Sequence, residues 1–207
     1  MAQTIEHPVA KHGCIIMASS MGTRFGANKL MVELNGRPLV EHVIRATDGF
    51  FARRVVVTRH ADVAELCRVF DVEVVLHGEP HRNDTVRLGM EGMDGCSTVT
   101  FFQADQPCIR PGSIASLLCC AEGDPVSIWR VSHEGTPGAP VLFPAWTFDE
   151  LRALPTGKGG GFVAKAHKEC VRTVEVASKW ELFDIDTVDD LLVLQEHVSE
   201  MPADLPS

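Results

Sequence analysis

The sequence has no apolar run long enough to cross a membrane and no segment typical of a secretory leader. The longest apolar stretch near its beginning, residues 14–21, contains two serines and leads directly into Arg24 and Lys29. A membrane-spanning helix needs about 20 apolar residues. Residues 6–8 (Glu-His-Pro) stand where a signal peptide carries basic side chains. These absences predict a cytoplasmic protein that does not contact a membrane.

The cysteines and histidines lack the spacing of a metal site. The seven cysteines are an odd number, and no two are arranged as CxxC or accompanied by histidines at zinc-ligand spacing. We therefore expect buried free thiols. The nine histidines form no HxH or HExxH pattern, so we expect them at the surface or on helices.

The chain also lacks an excess of positive charge. Its net charge is −9, whereas general binding of nucleic acid needs a basic face for the phosphates. Nucleic acid is therefore excluded as a partner, and an anionic substrate has to be held by a local cluster of cations. With 45% hydrophobic and 23% charged residues, the composition is that of an ordinary globular protein rather than a disordered or fibrous one.

The 207 residues contain no internal repeat and no linker that would divide them. A chain of this length forms one well-packed core and buries roughly 70% of the surface that its unfolded state exposes. We therefore predict a single domain over residues 1–207.

Short β-rich segments alternate with segments of helical spacing through the first two thirds of the chain. This alternation predicts βαβ units and a mainly parallel sheet. The runs at residues 55–57 (Val-Val-Val) and 74–76 (Val-Val-Leu) lack polar alternation, so we expect these strands to be buried on both faces. The predicted strands are residues 14–19, 54–58, 72–76, 97–104 and 126–131, and the predicted helices are residues 38–47, 61–70, 83–93 and 111–122.

Glycine and proline become frequent after Ser132. Residues 134–140 (EGTPGAP) and 156–161 (TGKGGG) are rich in turn formers. We predict that they form two loops, which shape the site of a second substrate. The remaining predictions are a helix at residues 148–154, a strand at 171–176, a helix at 188–198 and a frayed tail at 201–207.

The first predicted strand leads into a loop of small and basic residues, SSMGTRFGANK at positions 19–29. Small side chains let backbone N–H groups approach an anion, and Arg24 and Lys29 add positive charge. This combination suits a triphosphate. The loop is neither a Walker A motif, which requires GxxxxGK[ST], nor a GxGxxG motif. An ordinary βα turn with two solvated basic residues is the alternative.

Residues 17–31 (MASSMGTRFGANKLM) and 36–42 (GRPLVEH) resemble the MobA-like nucleotidyltransferases. The signature of that family reads roughly LAAGxSxRxGxxKLL followed by GxPLxxH, and the resemblance extends over about residues 15–191. Two positions depart from it, because Ser20 stands where the family has glycine and Gly22 where it has serine. A Cβ at Ser20 is unfavourable if that position requires a positive φ, and nucleotide binding would then be weakened.

The resemblance implies a fold and a set of nucleotide-binding residues. The fold is a three-layer α/β/α domain with a mainly parallel, Rossmann-like sheet, as in the glycosyltransferase-A-like nucleotidyltransferases. Its nucleotide half would cover about residues 12–110 and its acceptor half about residues 111–198. Arg24 and Lys29 would be catalytic through their charge on the leaving pyrophosphate. The nucleotide would be bound by Ala18, Ser19, Ser20, Gly22, Arg24, Lys29 and Thr85, of which Thr85, like Asp84, is also a candidate helix cap.

Two acidic segments resemble the magnesium site of the family. Residues 105–107 (DQP) follow a predicted strand and match a motif at the carboxyl end of a strand, where open α/β sheets bind ligands. Residues 184–190 (DIDTVDD) resemble the closing DIDTPEDL segment. We expect Asp184 and Asp186 to point to opposite faces, so that only Asp184 meets the metal. Asp105 and Asp184 would then hold Mg²⁺, and Asp105 would also be catalytic. The alternative is that these aspartates only cap a turn or a helix.

The acceptor half resembles the molybdenum-cofactor cytidylyltransferase branch of the family. Residues 138–143 (GAPVLF) match its GxPVLF motif, and residues 157–161 (GKGGG) match its GDKGGR loop incompletely, with glycine at the usual Asp and Arg positions. The resemblance implies acceptor binding by Gly138, Pro140, Lys158, Gly159 and Gly160.

The implied reaction is the magnesium-dependent transfer of CMP from CTP to molybdopterin or molybdenum cofactor, with a molybdenum hydroxylase as client. CTP is favoured over GTP because Ala18 and Ser19 stand where the cytidylyltransferases carry Ala-Ala and the guanylyltransferases Ala-Gly. The Ser19 hydroxyl can donate to a cytosine carbonyl or accept from its amino group. Two alternatives are transfer to a sugar phosphate or another phosphorylated metabolite, and a non-catalytic nucleotide-binding accessory protein.

Overall fold

The computed structural model of the chain describes residues 11–20 and 28–198. None of the helices in this part is long and apolar enough to span a membrane. The strands are β1 (His12–Ala18), β2 (Glu33–Leu34), β3 (Arg37–Pro38), β4 (Arg53–Thr58), β5 (Glu73–Leu76), β6 (Thr98–Gln103), β7 (Ile128–His133), β8 (Thr136–Pro144) and β9 (Val171–Glu175). The helices are α1 (Leu39–Ala46), α2 (Ala61–Cys67), α3 (Arg82–Glu91), α4 (Pro111–Gly123), α5 (Phe148–Arg152), α6 (Gly161–Ala166) and α7 (Val188–Val198).

A seven-stranded sheet in the order β5-β4-β1-β6-β8-β7-β9 runs through both halves of the chain. Its strand pairs are parallel except those that β8 makes with β6 and β7. The predicted mainly parallel α/β/α fold is thus confirmed. Because β1 lies between β4 and β6, the strand order reverses at β1. Open α/β sheets bind ligands outside the carboxyl ends of the strands where the order reverses.

Alternate residues of β1 pack against opposite layers of helices. Cys14, Ile16 and Ala18 belong to the core beneath α1, α2 and α4, whereas Ile15 and Met17 belong to the core beneath α3, α5 and α6. This division follows from strand geometry, since successive side chains point to opposite faces. Both faces of β1 are covered, so the strand is buried over its whole length and fixes the position of the residues that follow it.

The predicted loop at residues 134–140 is wrong. Only Glu134 and Gly135 form a turn, both with positive φ, as two-residue hairpin turns of type I′ require. Strand β8 begins at Thr136. Pro140 lies where the pairing of β7 with β8 shifts register at a bulge, which takes backbone groups out of the ladder. Pro137 pairs with Ser132 of β7 but lies outside the part of β8 that pairs with β6.

Strand β5 is the edge of the sheet, so the prediction that residues 74–76 are buried on both faces is wrong. Val74 and Val75 are half-buried and Leu76 is 54% exposed. Residues 55–57 in β4, by contrast, are buried as predicted. An apolar run does not distinguish the two cases, because the difference depends on whether another strand is placed beside it.

All seven cysteines are free, but only four are buried. Cys119 is exposed, and Cys120 and Cys170 are half-buried, so the expectation of buried thiols is wrong for these three. Cys119 and Cys120 lie on α4, where the buried face is formed by other residues. These are Ile114, Leu117, Leu118 and Ala121.

Gly89 lets α3 pack directly on β1. A Cβ at this position would lie 2.7 Å from Cγ2 of Ile15, which is buried in the centre of the sheet. We expect Gly89→Ala to lower the free energy of unfolding by about 1–3 kcal/mol, the usual effect of overpacking a core. The control is Gly123→Ala at the end of α4, where an added Cβ meets nothing within 4 Å. Urea unfolding should show a lower midpoint for Gly89→Ala alone; equal midpoints would contradict the close packing.

Candidate active site

An open cavity of about 1350 Å³ lies at the carboxyl edge of the parallel strands. It begins beside the ends of β1 and β6 and extends along β8 to the loop before α6. Pockets for a single ligand measure about 300–1,000 Å³, so this cavity has room for two substrates. The residues predicted from the sequence that line it are Ser19, Ser20, Thr85, Asp105, Gly138, Lys158, Gly159, Gly160 and Asp184.

Ala18 and Pro140, two further predicted residues, do not line the cavity. The side chain of Ala18 is fully buried in the core, and its carbonyl accepts a hydrogen bond from Thr58 Oγ1 at 2.9 Å. Pro140 does not line the cavity, although Ala139 and Val141 on either side of it do. Gly22 and Arg24 lie outside the described residues.

Lys29 is buried beneath the cavity, so the alternative of an ordinary βα turn with solvated basic residues does not hold for this residue. Its side chain is 2% exposed. The ammonium donates to Asp105 Oδ2 at 2.7 Å, to Asp186 Oδ1 at 2.8 Å and to the Ile185 carbonyl at 3.0 Å. An ammonium has three N–H donors, and all three are used. In this arrangement Lys29 has no donor left for a phosphate oxygen.

Hydrogen bonds attach residues 184–186 to the end of β6. The Ile185 N–H donates to the Asp105 carbonyl at 3.0 Å, and Gln106 Nε2 donates to the Leu182 carbonyl at 3.2 Å. The side chain of Ile185 packs in a cluster with residues of α7. These contacts explain why acidic residues that are far apart in sequence meet at one edge of the sheet.

Asp184 and Asp186 line the same cavity, so the expectation that they face opposite ways is wrong. Ile185 between them is fully buried, and side chains two residues apart in an extended segment point in the same direction. The cap of α7 is made by Thr187 and Asp190 instead. The Asp190 N–H donates to Thr187 Oγ1 at 3.1 Å, and the Thr187 N–H donates to Asp190 Oδ2 at 2.7 Å.

The three aspartates are only partly neutralised by Lys29. Burial disfavours the charge of Lys29, but the hydrogen bonds and charges of Asp105 and Asp186 outweigh it and raise its pKa. Partial burial, together with the charges of Asp105 and Asp186, raises the pKa of the Asp184 carboxyl to about 6. One ammonium thus stands against three carboxyl groups.

Asp105 and Asp184 fit a magnesium ion. Mg²⁺ prefers oxygen ligands and is commonly held by one or two carboxylates, with water and substrate phosphates completing its shell. A divalent cation would also offset the repulsion that raises the pKa of Asp184. The described residues contain no cluster of three or more His, Cys, Asp or Glu side chains arranged as a metal site. Substrate phosphates would therefore have to supply further ligands.

The Ser19 hydroxyl is held at the end of β1 by contacts with two other strands. It donates to the Val57 carbonyl of β4 at 3.1 Å, and its oxygen lies 2.9 Å from Nε2 of His77, which follows β5. From its sequence context, His77 was expected at the surface or on a helix, without a role in the site. The placement of β5 next to β4 brings it within hydrogen-bonding distance of Ser19.

Ser20 and Thr85, which were predicted to bind the nucleotide, both line the cavity. Ser20 is not among the described residues with positive φ, so its Cβ carries no backbone strain. Thr85 is 2% exposed in the first turn of α3. Asp84 caps that helix by accepting the His81 N–H at 3.3 Å. Capping therefore does not require Thr85, which lines the cavity.

The loop before α6 is anchored to the start of α3. The Gly157 N–H donates to Asn83 Oδ1 at 2.8 Å, and a Cβ at Gly159 would lie 3.0 Å from Nε of Arg82. The glycines of this loop thus permit close approach to α3. Residues predicted to bind the acceptor thereby contact the helix predicted to lie near the nucleotide.

Arg130 is a cation of the cavity wall that the sequence analysis missed. It lies on β7 and donates through Nε and Nη2 to the Gly138 carbonyl at 3.1 and 3.0 Å. Burial lowers its pKa, and no carboxylate of the described residues lies within ion-pair distance of it. Such a guanidinium is suited to bind an anion. Arg59, Arg82 and Lys165, which were also missed, line the same cavity.

Comparison with known proteins gives a family match over most of the chain. The MobA-like NTP transferase domain matches residues 14–171. The chain is 33% identical over 112 residues to a 3-deoxy-manno-octulosonate cytidylyltransferase from Halorhodospira halophila, an alignment that covers 49% of this chain and 43% of that protein. The chain therefore spans less than half the length of this curated relative.

Solved structures share the fold at low sequence identity. Rv0371c from Mycobacterium tuberculosis H37Rv has a TM-score of 0.80 at 19% identity, covering 90% of this chain and 99% of that one. A structure of the same protein in complex with manganese has a TM-score of 0.73 at 18% identity, covering 90% and 98%. Molybdopterin-guanine dinucleotide biosynthesis protein A from Archaeoglobus fulgidus has a TM-score of 0.71 at 21% identity, covering 91% and 100%. These likenesses support the fold alone.

Removal of Lys29 would leave Asp105 and Asp186 without their shared counter-ion. We expect Lys29→Met to lower the free energy of unfolding by about 2–3 kcal/mol. This is less than the effect of about 3–5 kcal/mol that is typical of enclosed ion pairs, because Asp186 is 57% exposed. The matched control is Lys158→Met, since Lys158 lines the cavity but is exposed. Urea unfolding at neutral pH compares the two variants. A free energy of unfolding that is unchanged in Lys29→Met would rule out a structural role for the ion cluster.

The raised pKa of Asp184 predicts a pH-dependent effect on the stability of the metal-free protein. The folded state keeps this carboxyl protonated up to about pH 6, whereas the unfolded chain releases the proton near the ordinary value of 3.8. The stabilising contribution of the protonated form is full below that ordinary value and is lost as the pH rises through about 6.

We therefore expect Asp184→Asn, which mimics the protonated carboxyl, to raise the melting temperature at pH 7 relative to the unmodified protein. At pH 4 the two melting temperatures should coincide. Asp149→Asn serves as control because the side chain of Asp149 is fully exposed, so its replacement should change the melting temperature little at either pH. A shift for Asp184→Asn that does not depend on pH would show that Asp184 is not repelled by its neighbours.

Proposed function

The chain belongs to the MobA-like NTP transferase family, and from this premise we propose that it transfers CMP from CTP to a small phosphorylated acceptor. The observation that carries the proposal is the meeting of Asp105, Asp184 and Asp186 around Lys29 at one cavity. The size of that cavity supports the binding of two substrates side by side.

The proposed reaction is an in-line displacement at the α-phosphorus of the nucleotide. An oxygen of the acceptor phosphate forms a bond to this phosphorus while the bond to the β-phosphate oxygen breaks, and pyrophosphate leaves. Such a reaction needs little covalent participation by the protein. Catalysis consists of positioning the two substrates and stabilising the charge that develops on the phosphate oxygens.

Asp105 and Asp184 would hold the magnesium ion, which supplies charge neutralisation for the phosphates when it is bound. Lys29 holds the side chains of Asp105 and Asp186 in place through its hydrogen bonds. We therefore assign Lys29 the positioning of the carboxylates in place of direct contact with pyrophosphate. Residues 20–26, with Arg24, would contact the triphosphate.

We propose molybdopterin or molybdenum cofactor as the acceptor, because two segments of the acceptor half resemble the enzymes that use it. Cations on the wall of that half, which include Arg130, Lys158 and Lys165, support an anionic acceptor. Gly138 contributes through its carbonyl, which holds the guanidinium of Arg130. A molybdenum hydroxylase would receive the product.

Two other functions are candidates. A sugar phosphate or another small metabolite as acceptor is favoured by the curated relative, which is named for 3-deoxy-manno-octulosonate. A non-catalytic nucleotide-binding role is favoured by the exchange of Ser20 and Gly22 relative to the family signature.

One experiment separates the three candidates. The protein is incubated with Mg²⁺, each NTP in turn, and either molybdopterin, molybdenum cofactor or a panel of sugar phosphates and sugar acids, and the products are identified by mass spectrometry. A cytidine dinucleotide of molybdopterin supports the proposed function. A nucleotide sugar favours the second candidate, and nucleotide binding without pyrophosphate release in any mixture favours the third.

Replacement of Asp105 tests the proposed metal site. We choose Asp105→Asn because an amide oxygen can still accept a hydrogen bond from Lys29, which limits damage to the fold. We expect turnover to fall by at least about 10²-fold, the scale for loss of one preorganised electrostatic group. Asp149→Asn, on the exposed face of α5, is the control. Near-normal magnesium-dependent turnover of Asp105→Asn would remove Asp105 from the metal site.

The residue at position 19 tests the preference for CTP over GTP. A Cβ at the end of β1 narrows the space beside the base, so we expect kcat/KM to be roughly ten- to hundredfold higher for CTP, as for a misfit that leaves a polar group unpaired. Ser19→Gly should reduce this ratio. The measurement uses one acceptor and both nucleotides. Equal values for the unmodified protein would refute the cytidylyl assignment and leave nucleotidyl transfer intact.

A further inference from the structure

The hydroxyl of Ser19 is part of a chain of hydrogen bonds across three strand ends. Ser19 follows β1, His77 follows β5, and Val57 belongs to β4, which lies between them. The Ser19 oxygen is 2.9 Å from Nε2 of His77 and 3.1 Å from the Val57 carbonyl oxygen. On the far side of the imidazole, the Glu79 N–H lies 3.2 Å from Nδ1.

The backbone N–H of Glu79 fixes the direction of every bond in this chain. A backbone N–H can only donate, so Nδ1 of His77 has to be the acceptor, and in a neutral imidazole the proton is then on Nε2. Nε2–H donates to the Ser19 oxygen. The Ser19 hydroxyl proton is directed to the Val57 carbonyl, because a carbonyl oxygen can only accept.

The neutral form of His77 that this chain requires is consistent with its surroundings. Burial and the positive charge of Arg59 lower its pKa, against the smaller opposing effect of Glu79. A protonated ring would place an N–H on Nδ1 against the N–H of Glu79. The contacts of both ring nitrogens therefore agree on a single tautomer.

This chain of hydrogen bonds leaves the Ser19 hydroxyl with one free hydrogen-bonding position. Among the described residues, its proton is used by the Val57 carbonyl and one of its two lone pairs by His77, which leaves the other lone pair for a ligand. Ser19 lines the cavity at the end proposed for the base. Towards a ligand it is therefore an acceptor only, and the sequence-based expectation that it could also donate to a cytosine carbonyl no longer holds.

We propose that His77 is a positioning residue that turns Ser19 into a selector for a nucleobase with an exocyclic amino group. This inference rests on the proposed nucleotide site. Cytosine carries an amino group at the position where uracil carries a carbonyl. The amino group donates to the remaining lone pair of Ser19, whereas the carbonyl would set two acceptors against each other, so the site selects CTP against UTP.

The first test reads the tautomer of His77 directly. ¹⁵N NMR of the imidazole in the unmodified protein, assigned by comparison with His77→Gln, distinguishes a proton on Nε2 from one on Nδ1. We expect the Nε2–H form at neutral pH, with and without CTP. The Nδ1–H form or the doubly protonated ring would overturn the proposal, whatever the enzyme does with nucleotides.

The second test measures equilibrium binding of CTP and UTP with Mg²⁺ and no acceptor, by calorimetry. We expect the unmodified protein to bind CTP about tenfold more tightly than UTP, which is the usual effect of one mismatched buried hydrogen bond. Ser19→Ala and His77→Phe should bring the ratio close to one, because the first removes the acceptor and the second frees the hydroxyl to rotate. His77→Gln, whose amide can still donate to Ser19, should retain most of the preference.

His197→Asn, in the last turn of α7 and far from these strand ends in sequence, is the control for a histidine substitution and should keep the full ratio. If His77 had a purely structural role, His77→Phe would weaken the binding of CTP and UTP equally and leave the ratio of their affinities unchanged. That result would overturn the proposal. Equal affinity of the unmodified protein for CTP and UTP would do the same and leave nucleotidyl transfer standing. Absence of binding by any NTP would instead count against the proposed function itself.

Discussion

The Lys29 ammonium is the interaction on which the arrangement of the site depends. Its three hydrogen bonds join the segment after β1, the end of β6 and the segment before α7. Without a buried cation, Asp105 and Asp186 could not approach each other at a partly desolvated edge of the sheet. One cation still does not neutralise three carboxyl groups, and the raised pKa of Asp184 is the sign of that imbalance. A stable fold that keeps a negative charge in excess at one point is suited to attract a divalent cation.

The sheet explains why both proposed substrates meet at this point. Strand order reverses at β1, which places the ends of β1 and β6 on one edge. The antiparallel β8 lies next to β6 and carries Gly138 to the same cavity, where its carbonyl holds Arg130 of β7. The loop at Gly157 then returns to α3 through Asn83. The proposed nucleotide and acceptor halves thus line one common cavity.

Much of the fold and part of the site could be predicted from the sequence, and the remainder depends on tertiary context. The alternating apolar runs predicted the parallel strands, and the motif at Asp105 predicted a ligand site at a strand end. The burial of Lys29 could not be predicted, because a basic residue in a glycine-containing loop has the same local pattern whether or not aspartates from a distant segment reach it. The shared orientation of Asp184 and Asp186 could have been predicted, because side chains two residues apart in an extended segment point the same way. The prediction that they face opposite ways was an error in applying this rule. Strand β8 was missed because glycine and proline were interpreted as loop formers, whereas Glu134 and Gly135 alone make the turn.

The distribution of charge around the cavity argues for separate positions of the two proposed substrates. The carboxyl groups of Asp105 and Asp184 lie at the end near β1 and β6, whereas Arg130 and Lys165 line the part near β7 and α6. An anionic acceptor is attracted to the second region on its own. Arg59 and Arg82 also line the cavity, but a triphosphate beside the carboxylates of Asp105 and Asp184 is repelled by them at short range, and a cation that accompanies the triphosphate offsets this repulsion. We therefore expect a metal-bound nucleotide and an anionic acceptor to bind in separate parts of one open cavity, with the α-phosphorus of the nucleotide facing the acceptor.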